Sequence, residues 1–468
     1  MPKTKAFHIT NLKHFLVILT VLFSLQTSAQ QFSRADVLSD LEYLKSSLEE
    51  THFDLYGHTT KTEFEQNFLA VQKEIRKDSF GLLEVTNLFQ KVVAQANNAH
   101  TNVPFPIPSY VEFFESGGVV FPLEVAIENG KVLVRKNWSE NASILIGSEL
   151  RSINGLPISD VLEKIYPQIA AESLYFKNTL IESFTLPRYY WQVFGEQKEF
   201  KVEVFQNGKG VTYTLQAIKA WDDYEMKRSD IVQEDWALKL LPNAAYLRPG
   251  SLSGDLEKYK RFIDSAFVEI DASKYKNLII DLRNNGGGDD PFSDYLVSYI
   301  ADKPFRWNSK FQLKSSRILK EDIRQNKDTT QAYWKWILAL KDGEIGDYDF
   351  GFHEPQPKAK RFQGKVYVLV NRHSFSQATV AAAQIQDYGF GVIVGEETAE
   401  HPNLLASIFA YTLPNTKIQL GISKGKIYRV NGIDNGKGVL PDIVIKDHLL
   451  DENDEILAGL LEQIEKLN

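Results

Sequence analysis

In the first part of the chain, hydrophobic positions recur every three or four residues. DVLSDLEYLKSSLEE (36–50) puts Val37, Leu41, Leu44 and Leu48 on one helical face, with Ser33 as the cap before them. A second amphipathic run, LLEVTNLFQKVVAQA (82–96), ends in the polar stretch NNAHTN. Between about Val111 and Ile218 the period shortens. VVFPLEVAIENGKVLVRKN alternates on either side of Glu128-Asn129-Gly130, and KEFKVEVFQNGKGVTYTLQAI (198–218) does so around Asn207-Gly208, so each predicts a β-hairpin. SELRSINGLPISDVLEKI (148–165) reads as a strand, an Asn-Gly turn and a helix. Short strands around one helix predict a small, partly open barrel of roughly 100 residues.

From about Ala244 strands and helices alternate. AAYLRPG, a helix over 255–269, NLIIDLR, a helix over 291–302, VYVLV, a helix over 378–388 and GVIVGEET follow one another as β–α units. NLII and VYVLV are apolar throughout, as strands covered on both faces are. The stretch 303–363 interrupts this order with charges and with Trp307, Trp334, Trp336, Tyr348, Phe350 and Phe352. It is too long for a plain connection, and reads either as an inserted lid or substrate wall or as an excursion with its own small core. The fold class is α/β, with an N-terminal helical domain (30–110), a small β domain (111–225) and an α/β core (226–468).

Composition and charge narrow the possibilities. Lys3, Lys5 and Lys13 precede the apolar run FLVILTVLFSL (15–25) and the small-residue stretch QTSAQQF, the pattern of a signal peptide (1–29) cut after Ala29. The run has 11 residues, short for a bilayer span, so an exported bacterial protein, periplasmic or extracellular and without a stable membrane anchor after cleavage, is expected. The chain has no cysteine, which removes lipid-anchor cysteines, disulfides, thiol nucleophiles and thiolate zinc sites. A formal charge of −8 with no basic, aromatic-interleaved stripe argues against nucleic-acid binding. No histidine pair has metal-ligand spacing, and no cofactor or metal is expected.

Two stretches carry candidate chemistry. NLIIDLRNNGGGDD (277–290) runs a buried strand into three glycines, a turn able to present backbone N–H groups to an oxyanion, or simply a tight turn. It is neither G-x-G-x-x-G nor a P-loop, so it gives no support for nucleotide binding. In NRHSFSQATVAAA (371–383), Ser374 and Gln377 form S-x-x-Q, a capping box for a helix beginning at Phe375. Ser376 then falls in the first helical turn, where unpaired N–H groups favour a negative oxygen, and the Gln377 amide is available to the same oxyanion. A base must come from the nine histidines. His8 and His14 lie in the signal peptide, His52, His58, His353 and His448 sit in polar contexts, and His373 is adjacent but on the side of the turn where spacing does not fix it. His100, in NNAHTN, and His401, 25 residues after Ser376, stay level as candidates.

The order AHT, G-x-E-L-x-x-I-N-G (147–155), DLRNNGGG, SFSQA, VGEET and GKGVLPD (436–442) resembles the C-terminal processing (tail-specific) serine peptidases, and within them the tricorn-core branch. The resemblance spans nearly all of the chain beyond residue 29. It implies a PDZ-like domain over 111–225 and a crotonase-type catalytic core. It also implies Ser376 as nucleophile, Gly287 and the Gln377 amide as oxyanion hole, and a polypeptide as substrate. The processing branch carries a catalytic lysine where this chain has His401, so the resemblance points to a histidine base. His100 matches the histidine of the tricorn-core DGHT-like motif, with Asn98 and Ala99 in place of aspartate and glycine. The carboxylate that orients this histidine aligns at Asn435, beside Asp434. The implied activity is an exported serine endopeptidase acting through an acyl-enzyme. The alternative is a non-hydrolytic peptide- or ligand-binding protein on the same fold, as retinoid-binding relatives illustrate; an acyl-CoA enzyme is more remote.

Overall fold

The computed structural model describes residues 31–467, so the signal-peptide expectation lies outside the described residues. The alternating segments after Ala237 build a six-stranded sheet. Its order is Ala237–Leu240, Ala245–Arg248, Asn277–Asp281, Lys365–Val370, Val392–Gly395 and Ile443–Val444. All neighbours are parallel except the first pair. Side chains alternate across it. Leu278, Ile280, Val366, Val368 and Val370 face the helices Leu256–Ala272, Asp290–Ser298 and Gln377–Tyr388. Tyr246, Ile279, Tyr367, Leu369 and Val394 face Ile456, Leu460 and Ile464 of the C-terminal helix Glu455–Leu467. Covering on both faces explains why these strands read as unbroken apolar runs.

The helix Arg34–Thr51 is capped by Ser33, and its Val37, Leu41, Leu44 and Leu48 are fully buried. They share a core with the helices Lys61–Glu74 and Leu82–Val93, and also with Leu420 and Ile422 of the distant strand Gln419–Tyr428. The helical region is therefore built onto the rest of the chain. A buried carboxylate fastens the same joint: Asp40 accepts from the Asn415 backbone (3.1 Å), the Asn415 side chain (2.8 Å) and the Thr416 backbone (2.6 Å).

Both predicted hairpins of the middle region form, pairing Glu128 with Lys131 and Gln206 with Lys209. Between residues 150 and 200 the unit has three α-helices rather than one. Ile158–Ile165 was expected; Leu174–Phe184 and Leu186–Phe194 were not. LPRYYWQVF is rich in residues that favour strands, and burial against the sheet decides its conformation. Arg372 of the core joins this unit, reaching Glu182 (2.8 Å) and Glu128 (3.4 Å), and also Glu396 (3.2 Å) of the core.

The stretch 303–363 adds the strand Lys310–Lys314 to an antiparallel sheet with Gln419–Tyr428 and Leu405–Thr412. Its Trp307, Trp334, Trp336 and Tyr348 pack with Phe311, Leu404 and Val380, the last of these one helical turn beyond Ser376. Replacing Asp40 by Ala strands three N–H donors at the joint. The expected loss is about 2–3 kcal/mol of stability, measured as a lower urea midpoint at unchanged slope.

Candidate functional site

The strands Asn277–Asp281 and Lys365–Val370 run parallel, so both end at the same sheet edge, where ligands of open α/β sheets bind. Each continues into a turn, and the two turns are laced together. The Asn371 side chain donates to Asn284 Oδ1 (2.8 Å) and accepts from the amides of Asn284 and His373 (both 3.1 Å). The Phe375 amide donates to the Asn285 carbonyl (2.9 Å).

Ser374 and Ser376 differ from the expected division of labour. The helix begins at Gln377, and its N-cap is Ser376, with φ 48° and ψ −123°. Ser374 is no cap. Its hydroxyl donates to the Leu282 carbonyl (2.8 Å) and accepts from the Asn371 amide (3.1 Å), so it ties the two turns together below the helix. A positive φ at a serine is strained, and such strain persists where surrounding contacts overdetermine it. Here the Ser376 amide is taken by the Glu400 carboxylate, and the preceding and following residues are both held.

Gly287 lies against this turn. A Cβ there would come within 2.7 Å of the Gln377 amide, the Phe375 carbonyl and the Ser376 Cβ, and φ is +85°, so only glycine fits. Its own N–H donates to Asn285 Oδ1 (2.9 Å), while Gln377, as first residue of its helix, has an N–H with no intrahelical acceptor. The two expected oxyanion donors are thus side by side, one free of the helix and one engaged.

His100 reaches this place from the other end of the chain. Its Nε2 stands 3.1 Å from Ser376 Oγ, across 276 residues of sequence. The loop carrying it is stapled to the strand Gln419–Tyr428: Asn102 and Gly421 exchange backbone bonds (3.1 and 3.0 Å), and the Ser423 amide donates to Thr101 Oγ1 (3.0 Å). Asn98, which departs from the aspartate of the resembling motif, has a use for its amide. It accepts from Ser423 Oγ (2.5 Å) and donates to the Leu405 carbonyl (3.0 Å) and to Glu172 Oε1 (2.7 Å). An ionised aspartate has no proton for the last two.

The third group is not where the alignment put it. Asp434 and Asn435 are exposed, and the Asn435 side chain accepts from the Lys437 amide. The carboxylate at His100 Nδ1 is that of Glu400, at 3.1 Å with its side chain 1% exposed. These atoms meet off the line a hydrogen bond favours, a looseness common before substrate tightens a site. His401, the other histidine considered, follows Glu400 directly but is not the ring on Ser376. Burial is the largest single influence on the His100 pKa and lowers it; the combined pull of Glu400 and, behind it, Glu172 outweighs burial, and the net shift is upward. The row Ser376–His100–Glu400 can take a proton from a hydroxyl and stabilise the resulting imidazolium.

Glu400 was missed because VGEETAEH offers three glutamates before its histidine, and nothing in spacing selects one. The sequence model of peptidase family S41 matches residues 243–445. That stretch of the chain is similar to this family. Over 282 residues it is 27% identical to the tail-specific protease of Haemophilus influenzae, covering 56% of this chain and 34% of that protein. It thus spans about a third of that relative's length. Mature CPAF shares the fold: 15% identity, 93% of this chain, 96% of that chain, TM-score 0.60. The same protein complexed with lactacystin matches at 17% identity, 93% and 97% coverage and TM-score 0.62.

Replacing Glu400 by Gln removes the charge that holds the His100 proton. The His100 ring is expected to titrate at lower pH, as followed by NMR of histidine-labelled protein.

Proposed function

We propose that the protein is an exported serine endopeptidase that cleaves polypeptides through an acyl-enzyme on Ser376. The observation that carries this reading is the 3.1 Å approach of His100 Nε2 to Ser376 Oγ at a strained turn beside a glycine loop. His100 takes the Oγ proton as Oγ attacks the peptide carbonyl, and Glu400 compensates the imidazolium. The oxyanion forms against the Gln377 amide and against that of Gly287 once Asn285 Oδ1 releases it. His100 then passes its proton to the leaving amine, and a water deacylates Ser376 by the same route in reverse.

The parallel sheet and its neighbours support a crotonase-type core of the tricorn-core branch, and the strand-rich unit over 111–225 supports a PDZ-like module. The basic and apolar start of the sequence supports export, and among the described residues no helix is long and apolar enough to cross a membrane. One observation favours a non-hydrolytic binding protein instead: the Gly287 N–H is already engaged by its own loop.

Unfolded casein and a peptide library distinguish the two readings. Wild type is expected to cleave and to be labelled at Ser376 by a serine-directed phosphonate, whereas Ser376→Ala does neither. His100→Ala is expected to lose at least about a thousandfold in kcat. Glu400→Ala should also be severely impaired, while Asp434→Ala and Asn435→Ala stay near wild type. Absence of both cleavage and labelling in the wild type supports the binding protein; full activity of His100→Ala removes His100 as base.

A further inference from the structure

The residue immediately before each member of the Ser376–His100–Glu400 row packs into one small apolar cluster. Phe375, Ala99 and Ala399 meet there with Phe176 and Leu180 of the middle unit. A fourth chain segment enters the same cluster in the same way, through Ala171. The residue after it is Glu172. Its Oε1 accepts from the Asn98 side chain (2.7 Å) and weakly from the Ala99 amide (3.4 Å), the two residues leading into His100. Part of the residue reaches the surface, but Oε2 is shielded from solvent and has no hydrogen-bond partner among the described residues. A shielded carboxylate oxygen left without a partner is costly, and it asks for a role.

We propose that Glu172 is a fourth member of this site, a positioning residue that holds the His100 loop and, through its own charge, sets how strongly His100 keeps its proton. The proposal rests on His100 being the base of the reaction proposed above.

The charged groups acting on Glu172 are Glu400 and His100, and Asn98 is its neutral partner. Burial, and then the Glu400 charge, push the Glu172 carboxyl up to about 7, against the opposing pull of His100. Two shielded carboxylates near one imidazole do not both ionise cheaply, so the three groups titrate together. While Glu172 is neutral, Glu400 alone holds the His100 proton; once Glu172 ionises, the second charge adds to that hold, since a negative Glu172 raises the His100 pKa.

Glu172→Gln keeps an oxygen for Asn98 and Ala99 but carries no charge. The acid limb of its kcat/KM profile on casein-derived peptides is expected to move about 0.5–1 unit lower than in wild type. Glu172→Ala loses the acceptor too and is expected to lower kcat in addition, with KM little changed. The second readout needs no activity: the His100 ring titrated by NMR in the Ser376→Ala protein, with and without Glu172→Gln. A lower His100 pKa with Glu172→Gln supports the coupling even if no peptide is cleaved, in which case only the peptidase reading falls. Superimposable titrations overturn the proposal. Should Glu172→Gln fail to fold, the otherwise wild-type protein decides alone: two inflections in the His100 signal, one near pH 7, support the coupling, and a single one overturns it.

Discussion

The site depends on where the Glu400 carboxylate is held. One oxygen faces His100 Nδ1 and the other accepts from the Ser376 amide, so one side chain fixes both the imidazole and the strained turn that carries the hydroxyl. A carboxylate that is 1% exposed is expensive unless it is paired and hydrogen-bonded. The amide supplies a fixed partner, and the imidazole supplies one that strengthens when it takes a proton. The positive φ at Ser376 belongs to the same balance: the conformation that costs energy at a serine is the one that turns its N–H toward Glu400.

Three parts of the chain must meet for this to happen, and each meeting is made by buried polar groups beside an apolar contact. The helical region comes in through the shared core at Leu420 and Ile422 and through Asp40 on the Asn415–Thr416 turn. The loop with His100 is then fixed by Asn98, Thr101 and Asn102 against the strand Gln419–Tyr428. The middle unit comes in through Glu182 on Arg372, four residues before Ser376, and through Phe176 on Phe375, whose rings lie 5.3 Å apart. Burial brings the surfaces together, but it is non-directional; the hydrogen bonds fix the register to the few tenths of an ångström that proton transfer needs.

This division explains what could be read from residues alone. The β–α alternation, both hairpins and the first helices follow from periodicity, because local pattern and final burial agree there. Ser376 and the glycine turn were legible as a strand–turn–helix beside a strand–turn. Ser374 was misassigned because S-x-x-Q suits a cap locally, whereas its hydroxyl is used across the sheet, on Leu282, 92 residues away. The helices over 174–194 were hidden by an aromatic composition that suits a strand equally well. Glu400 and Glu172 were out of reach for a deeper reason. A carboxylate's role in such a row is set by the atom it faces, and only the packed loops define that.

The displacement of the orienting carboxylate from the 434–435 position to Glu400 is chemically coherent. A negative charge at Nδ1 favours the imidazolium of a histidine wherever in the chain it comes from. The loop after Val392–Gly395 already passes over the Ser376 turn, with Glu396 on Arg372 and Glu400 on the Ser376 amide. It delivers a carboxylate one residue before His401, and the exposed 431–437 turn is relieved of the task. The Glu400 carboxylate faces the imidazole and the Ser376 amide, and the group at the hydroxyl is His100. That carboxylate raises the proton affinity of an imidazole brought from elsewhere, and so makes the serine dependent on the packing of the helical region that delivers His100.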